Sequence, residues 1–251
     1  MKFGKIKNTV LFFVLVLISC GNKFKSETLK KNDDSIIVGA NNISKYISLL
    51  QGKRIGVLAN QTSVIYKNDN SYTHLIDSLI SLNVNVTTIF SPEHGFRGTA
   101  DAGEKVGDYK DAATGIPVIS LYGKKRRPSA DDLQDVDVML FDIQDIGVRF
   151  YTFISSLEGY MESAFLNNKK LIVLDRPNPN IHYVDGPVLE KKYRSFVGMQ
   201  PVPVVYGMTI GEYANMLVGE KWLQPSAMQA FENSLNKGDL PLVVVSCSNY
   251  T

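Results

Sequence analysis

Between Arg54 and Asp175 the chain repeats one pattern: a nearly continuous apolar run, then a segment with helical spacing. The runs are "RIGVLAN" (54–60), "VNVTTIF" (84–90), "IPVISLY" (116–122), "VDVMLFD" (136–142) and "KLIVLD" (170–175). A strand that is apolar on both sides must be covered on both sides. Parallel strands packed between helices meet that demand. Between the runs, "SYTHLIDSLISL" (71–82) places Leu75, Ile76, Leu79 and Ile80 on one helical face. "SADDLQDV" (129–136) opens like a helix, with Ser129 as N-cap and Asp132 three residues on. Residues 151–167 repeat Ile154, Leu157, Met161 and Phe165 at helical spacing. The pattern predicts an α/β fold: a Rossmann-like, open, mostly parallel sheet with helices on both faces. An eight-unit barrel is disfavoured, because only about five units are legible.

After Asp175 the character changes. "RPNPNIHYVDGPVLEKKYRSFVGMQPVP" is rich in proline, glycine and polar residues and reads as a long functional loop. "TIGEYANMLVGEKW" starts a helix with a capping box from Thr209 to Glu212, and Tyr213, Met216 and Leu217 supply its apolar face. "LPLVVVSCSNYT" reads as a last strand. The expected division is a catalytic domain over 46–200, with 201–251 completing it and beginning a smaller, truncated C-terminal domain.

The N-terminus reads as a targeting segment. "MKFGKIK" is a positive region and "VLFFVLVLIS" is an apolar stretch too short to span a bilayer comfortably. "LISC" (17–20) resembles a bacterial lipobox, which implies cleavage after residue 19 and acylation of Cys20. Each buried CH₂ of such a chain contributes ~0.8 kcal/mol of anchoring. Residues 20–45 are then a tether, and the mature chain is expected to be exported and held at a bacterial membrane, periplasmic or cell-surface. Taking Lys2, Lys5 and Lys7 from the 27 basic residues leaves 24 against 25 acidic ones. That balance offers no general attraction for nucleic acid. Cys247 is then the one remaining cysteine, in an apolar run, and reads as a small buried hydrophobe.

Ligands of open parallel sheets bind beyond the carboxyl ends of the strands. Here those ends carry Asn60 and Gln61, then Glu93 and His94, then Tyr122, then Asp142, Gln144, Asp145, Arg149 and Tyr151, then Asp175, Arg176 and Asn178. In "IFSPEHGFRG" (89–98), Gly95 and Gly98 permit a tight turn that aims Glu93, His94 and Arg97. Glu93 at a crevice mouth suits proton donation; equally, it can be a loop carboxylate paired with Arg97. No dinucleotide, P-loop or G-x-S-x-G motif is present, and the three histidines have no zinc-site spacing. No cofactor and no metal is expected. Carboxylates and arginines remain, an inventory suited to acid/base chemistry on a sugar.

"LANQTS", "FSPEHGFRGTADAGEKV", "VMLFDIQDIGVRFYTFISSL", "VLDRPNP" and "SFVGMQPVPVVYGMTIGEYA" together resemble the bacterial exo-β-N-acetylmuramidases, glycoside hydrolase family 171, from about Gly52 to Thr251. The resemblance implies removal of terminal N-acetylmuramic acid from the non-reducing ends of peptidoglycan fragments, in cell-wall turnover or recycling. It implies a two-domain protein with its site between the domains, and it places the family's acidic residue on Glu93. Asp142 and Asp145 are candidates for the second carboxylate, with Asp101, Glu104, Asp175 and Glu190 behind them. Asp142 can instead cap backbone donors, and Asp175 can pair with Arg176. A site for muramic acid needs a cation for the lactyl carboxylate, and Arg97, Arg149 and Arg176 are the candidates, Arg149 first. Asn60, Gln61, His94, Tyr151 and Asn178 are expected to contact sugar. The alternative reading is a lipoprotein that binds muropeptides without cleaving them. An esterase or deacetylase acting on wall sugars is more remote.

Overall fold

The computed structural model describes residues 35–69, 71–98 and 107–250. From Ile36 onward they belong to one unit. Cys20, Asp101 and Glu104, and with them the expected signal peptide and lipid attachment site, lie outside the described residues.

Among the described residues nine strands are present: β1 (Arg54–Ala59), β2 (Val64–Tyr66), β3 (Tyr72–His74), β4 (Asn85–Ser91), β5 (Tyr109–Lys110), β6 (Pro117–Ser120), β7 (Val138–Asp142), β8 (Lys170–Leu174) and β9 (Leu242–Val245). Seven form one sheet in the order β5-β6-β4-β1-β7-β8-β9. All neighbours in it are parallel except β5, which runs antiparallel to β6 at the edge. Numbered among themselves, the six parallel strands follow 3-2-1-4-5-6, the dinucleotide-fold order. The order reverses between β1 and β7, where Ala59 pairs with Asp142. β2 and β3 form a separate antiparallel hairpin.

The period of two along each strand divides the core. On one face Leu58, Phe90, Met139, Phe141, Leu171 and Val173 join α3 (Phe153–Leu166), α4 (Ile210–Gly219) and α5 (Pro225–Asn236). On the other, Val57, Ile89, Leu140, Ile172 and Leu174 meet α1 (Ile47–Leu50) and α2 (Leu75–Ser81). Full burial of one such side chain stabilises by roughly 1.5–3 kcal/mol. Helix α3 is buried on nearly every side, because the sheet lies beneath it and α4, α5 and the 176–209 segment cover it.

The expected sheet, its parallel strands and the two helical layers are present. Several local expectations change. Residues 72–74 pair as a strand, so the helix predicted over 71–82 starts at Leu75. Its N-cap is His74, whose Nδ1 accepts from the Ile76 N–H at 3.2 Å. The helix predicted at 129–136 is one 3-10 turn, Asp131–Leu133, although Ser129 and Asp132 do bond reciprocally. The tether expected to reach residue 45 gives way at Ile36 to built structure: Ile37 bridges Ser248, and Val38 and Ala40 are buried. Residues 201–250 belong to the same unit, as the expected end of the domain over 46–200. They supply the edge strand β9, paired with β8, and two of the covering helices.

Candidate functional site

The carboxyl ends of the strands do form a common rim, and the residues on it sort into two kinds. One kind holds the rim together. Asp142, ending β7, accepts from Arg176 Nε at 2.6 Å and Arg176 Nη2 at 2.8 Å. Both side chains are essentially out of solvent, and Arg176 Nη2 also donates to the Val64 carbonyl. With both oxygens occupied, Asp142 fastens β7 to the segment after β8. The Arg176 side chain, for its part, is only 1% exposed. Asp175 turns the other way. Its Oδ1 accepts from the Gly211 N–H at 2.8 Å and its Oδ2 from Thr209 Oγ1 at 2.9 Å, so it closes the start of α4. It pairs with no arginine side chain: Arg176 crosses to Asp142 instead.

Asp145 is buried as well. Its Oδ2 accepts from the Tyr206 hydroxyl and from the Gly147 N–H, while Oδ1 has no partner among the described residues. Burial pushes this carboxyl up, and the Tyr206 bond only partly opposes that. Asn178 is a local clamp: its Oδ1 accepts from the Asn180 N–H and its Nδ2 donates to the Met208 carbonyl. Gly147, at φ 75°, leaves room for the Asn178 amide, which a Cβ would meet at 2.3 Å. Asn60 forms a turn of its own, its Oδ1 accepting from Thr62 N–H and hydroxyl, while its Nδ2 is buried with no partner among the described residues. The Asn60 carbonyl accepts from His74 Nε2 at 2.9 Å.

The second kind stays accessible. Glu93 lies in the turn after β4, half-buried. His94 and Gly95 both adopt left-handed backbone there, at φ 70° and 74°. The Glu93 carboxylate accepts from the Tyr122 hydroxyl, beyond the end of β6, and that bond raises the Tyr122 phenol. Arg97 does not pair with Glu93. It forks onto Asp111 with two 2.9 Å bonds and reaches Asp77 at 3.3 Å, and it holds the Asp111 carboxyl down at about 2. Its work is to tie the Glu93 turn to α2 and to the β5–β6 connection. β4 and β7 are separated by β1, so the strand ends that precede Glu93 and carry Asp142 stand about 10 Å apart along the rim by strand spacing.

Arg149 donates from Nη1 to the Pro187 and Val202 carbonyls, both in the long loop. No carboxylate neutralises it among the described residues. Tyr151 and Phe150 are exposed neighbours with ring centroids 5.9 Å apart. At the switch point a cleft of about 270 Å³ opens among Gln61, Thr62, Gln144, Arg176 and the β2–β3 hairpin.

Three of these residues escaped the reading of the sequence. Tyr206 and Ser63, which donates to the Asp142 carbonyl, carry no local signal, since each acts on a residue more than 60 positions away. Glu158 did carry one: it is four residues after Ile154 and three before Met161, on the buried face of α3. It is fully buried, its Oε1 accepts from Arg194 and Gln200, and burial pushes its carboxyl up to about 7. Cys247 is half-buried, with its thiol pushed up to about 11 by burial. Among the described residues no group of three or more His, Cys, Asp and Glu side chains is placed to hold a metal ion.

The model of the N-terminal part of the exo-β-N-acetylmuramidase NamZ family matches residues 55–251. A peptidoglycan β-N-acetylmuramidase NamZ from Bacillus subtilis (strain 168) is 41% identical over 217 residues, covering 85% of this chain and 51% of that protein. Two crystal structures of DUF1343 family proteins from Bacteroides fragilis NCTC 9343 superpose with TM-scores of 0.71 and 0.72, at 40% and 39% identity. The alignments cover 86% of this chain and 53% and 51% of those proteins. The chain thus spans about half the length of the relatives it matches.

Proposed function

The chain belongs to the exo-β-N-acetylmuramidase NamZ family, through that family's N-terminal part, and on this premise we propose that it serves the hydrolysis of terminal β-linked N-acetylmuramic acid from the non-reducing ends of peptidoglycan fragments. One observation carries the choice of residue. Of the strand-end carboxylates Glu93, Asp142, Asp145 and Asp175, three are buried and Glu93 alone is partly open to solvent.

In this reading Glu93 gives its proton to the glycosidic oxygen as the C–O bond to the muramic ring breaks. Water supplies the hydroxyl that ends on the anomeric carbon, and its second proton restores Glu93. The Tyr122 hydroxyl orients the carboxylate. Arg149 supplies the cation for the lactyl carboxylate, because its charge meets only carbonyl oxygens among the described residues. Asp142, Asp145 and Asp175 hold the rim that carries these groups. We further propose export and lipid attachment at Cys20, on the strength of "LISC" and the apolar run before it.

The test is release of a chromophore from a β-muramoyl glycoside by the full chain. Glu93→Gln is expected to abolish it. Undiminished turnover by that variant removes Glu93 from the chemistry, and saturable binding of muropeptides without any release makes the chain a binding protein instead.

A further inference from the structure

The β2–β3 hairpin stands over the switch point, beside the cleft that opens between the ends of β1 and β7. Its register decides what it shows to that cleft. Alternation along β2 puts Val64 and Tyr66 on one side and Ile65 on the other. Ile65 packs into the core beneath. Tyr66 pairs directly with Tyr72 across the hairpin, so the two rings rise from the same side. Val64, Tyr66 and Tyr72 all line the cleft. Both rings are wide open to solvent, 52% and 65% exposed.

The strand that carries Tyr66 is also fastened to the chain before β1. The Asn41 side chain donates to the Tyr66 carbonyl at 2.7 Å and accepts from the Tyr66 N–H at 3.0 Å. At the turn, Asp69 accepts from both the N–H and the hydroxyl of Ser71. Exposed aromatic rings on a clamped hairpin lose little freedom when they bind something flat.

Across the cleft, Gln144 donates from Nε2 to the Asp145 and Pro177 carbonyls, both at 2.6 Å. That fixes the amide plane and leaves its oxygen to accept from a ligand. Gln61 stands on the same wall. The lining has one ionised side chain, Arg176, and Asp142 neutralises it. A cleft with aromatic rings on one wall, amides on the other and no net charge selects a neutral polar ring over an anion.

We propose that Tyr66 and Tyr72 form a stacking platform for a neutral N-acetylhexosamine ring, whose hydroxyl and acetamido groups reach Gln61 and Gln144. This rests on the muramidase reading, because that ring is then the uncharged sugar linked to the terminal muramic acid. The platform therefore acts on the leaving sugar and is indifferent to the lactyl carboxylate.

The test is calorimetric titration of the full chain carrying Glu93→Gln, which removes turnover. Two probes are used: the disaccharide with N-acetylmuramic acid β-1,4-linked to N-acetylglucosamine, and methyl β-N-acetylmuramide, which lacks the second ring. Tyr66→Ala and Tyr72→Ala are each expected to weaken the disaccharide about tenfold, as loss of one good aromatic contact implies, and to leave the methyl glycoside unchanged. Tyr72→Phe keeps the ring and is expected to bind like the parent. Disaccharide affinity unaltered in both alanine variants overturns the platform. So does an equal loss for both probes, or no measurable disaccharide binding by the parent. If the alanine variants behave as expected while the chain without Glu93→Gln releases no muramic acid, the platform stands and the hydrolase reading fails.

Discussion

Arg176 reaches back from the end of β8 and donates to both oxygens of Asp142 at the end of β7, at 2.6 and 2.8 Å, with neither side chain more than 1% exposed. The pair closes the rim just where the strand order reverses. Removing one partner of such a pair strands a charge in the interior. Asp142→Asn is therefore expected to lower unfolding free energy by about 3–5 kcal/mol. Chemical denaturation measures it, and a loss under about 1 kcal/mol would mean that water reaches the pair.

His74 caps α2 through Nδ1, so its proton sits on Nε2 and is donated to the Asn60 carbonyl. Burial lowers its pKa from 6.5, and Arg97 pushes the same way. The folded chain thus binds this proton less readily than the unfolded chain. The stabilisation is present above pH 6.5 and is lost as pH falls from there through the lowered folded value. We predict a fall in Tm below pH 6.5 that His74→Asn flattens, since asparagine also caps but does not titrate. Identical pH profiles for the two proteins would exclude His74 as the cause.

Tyr206→Phe removes the hydroxyl that Asp145 depends on and leaves a buried carboxylate with the Gly147 N–H for Oδ2 and nothing for Oδ1. The expected cost near neutral pH is about 1–3 kcal/mol. Asp145 has a raised folded pKa, so its protonated form is the one folding favours, and that contribution is lost as pH rises. The variant should accordingly lose least below pH 3.8, where the carboxyl is neutral in both states. A cost independent of pH would place the effect in packing alone.

Arg149 has two roles that one experiment separates. Its bonds to the Pro187 and Val202 carbonyls hold the long loop. Arg149→Ala is expected to hasten proteolysis between residues 176 and 209, and to weaken muramic glycosides at least tenfold more than the matching glucosamine glycosides, about 1.4 kcal/mol of selectivity. Equal effects on both sugars would leave the arginine as a loop clamp only.

Much of this fold is legible in the sequence because its signals are local. Five apolar runs at strand length, the Thr209–Glu212 capping box and the Ile154–Leu157–Met161–Phe165 spacing each report on a few neighbouring residues, and each appears where the pattern puts it. Two elements were obscured. β3 hid inside the helical pattern of 71–82, since Tyr72 and His74 fit either period. The capping pair Ser129–Asp132 formed, but Asp135 and Asp137 follow and no apolar stripe continues, so the helix stops after one turn.

The candidate site divides differently. That polar side chains would gather at the strand ends follows from the sequence alone, because apolar strands must end in turns and parallel strands all end on one edge. Which of them face outward does not follow. Asp142, Asp145 and Asp175 are of one chemical type, three to thirty-three residues apart along the chain. Arg176, Tyr206 and Thr209 bury them one by one through contacts spanning 34, 61 and 34 residues. Burial depends on what the sheet order brings alongside, and the order 3-2-1-4-5-6 is set by crossovers packing on two faces, a property no short stretch encodes. Hence the chain's own pattern determined the layered α/β architecture and the edge where polar groups collect, while the tertiary packing alone decided that Glu93 stays partly exposed and that Asp142, Asp145 and Asp175 are buried.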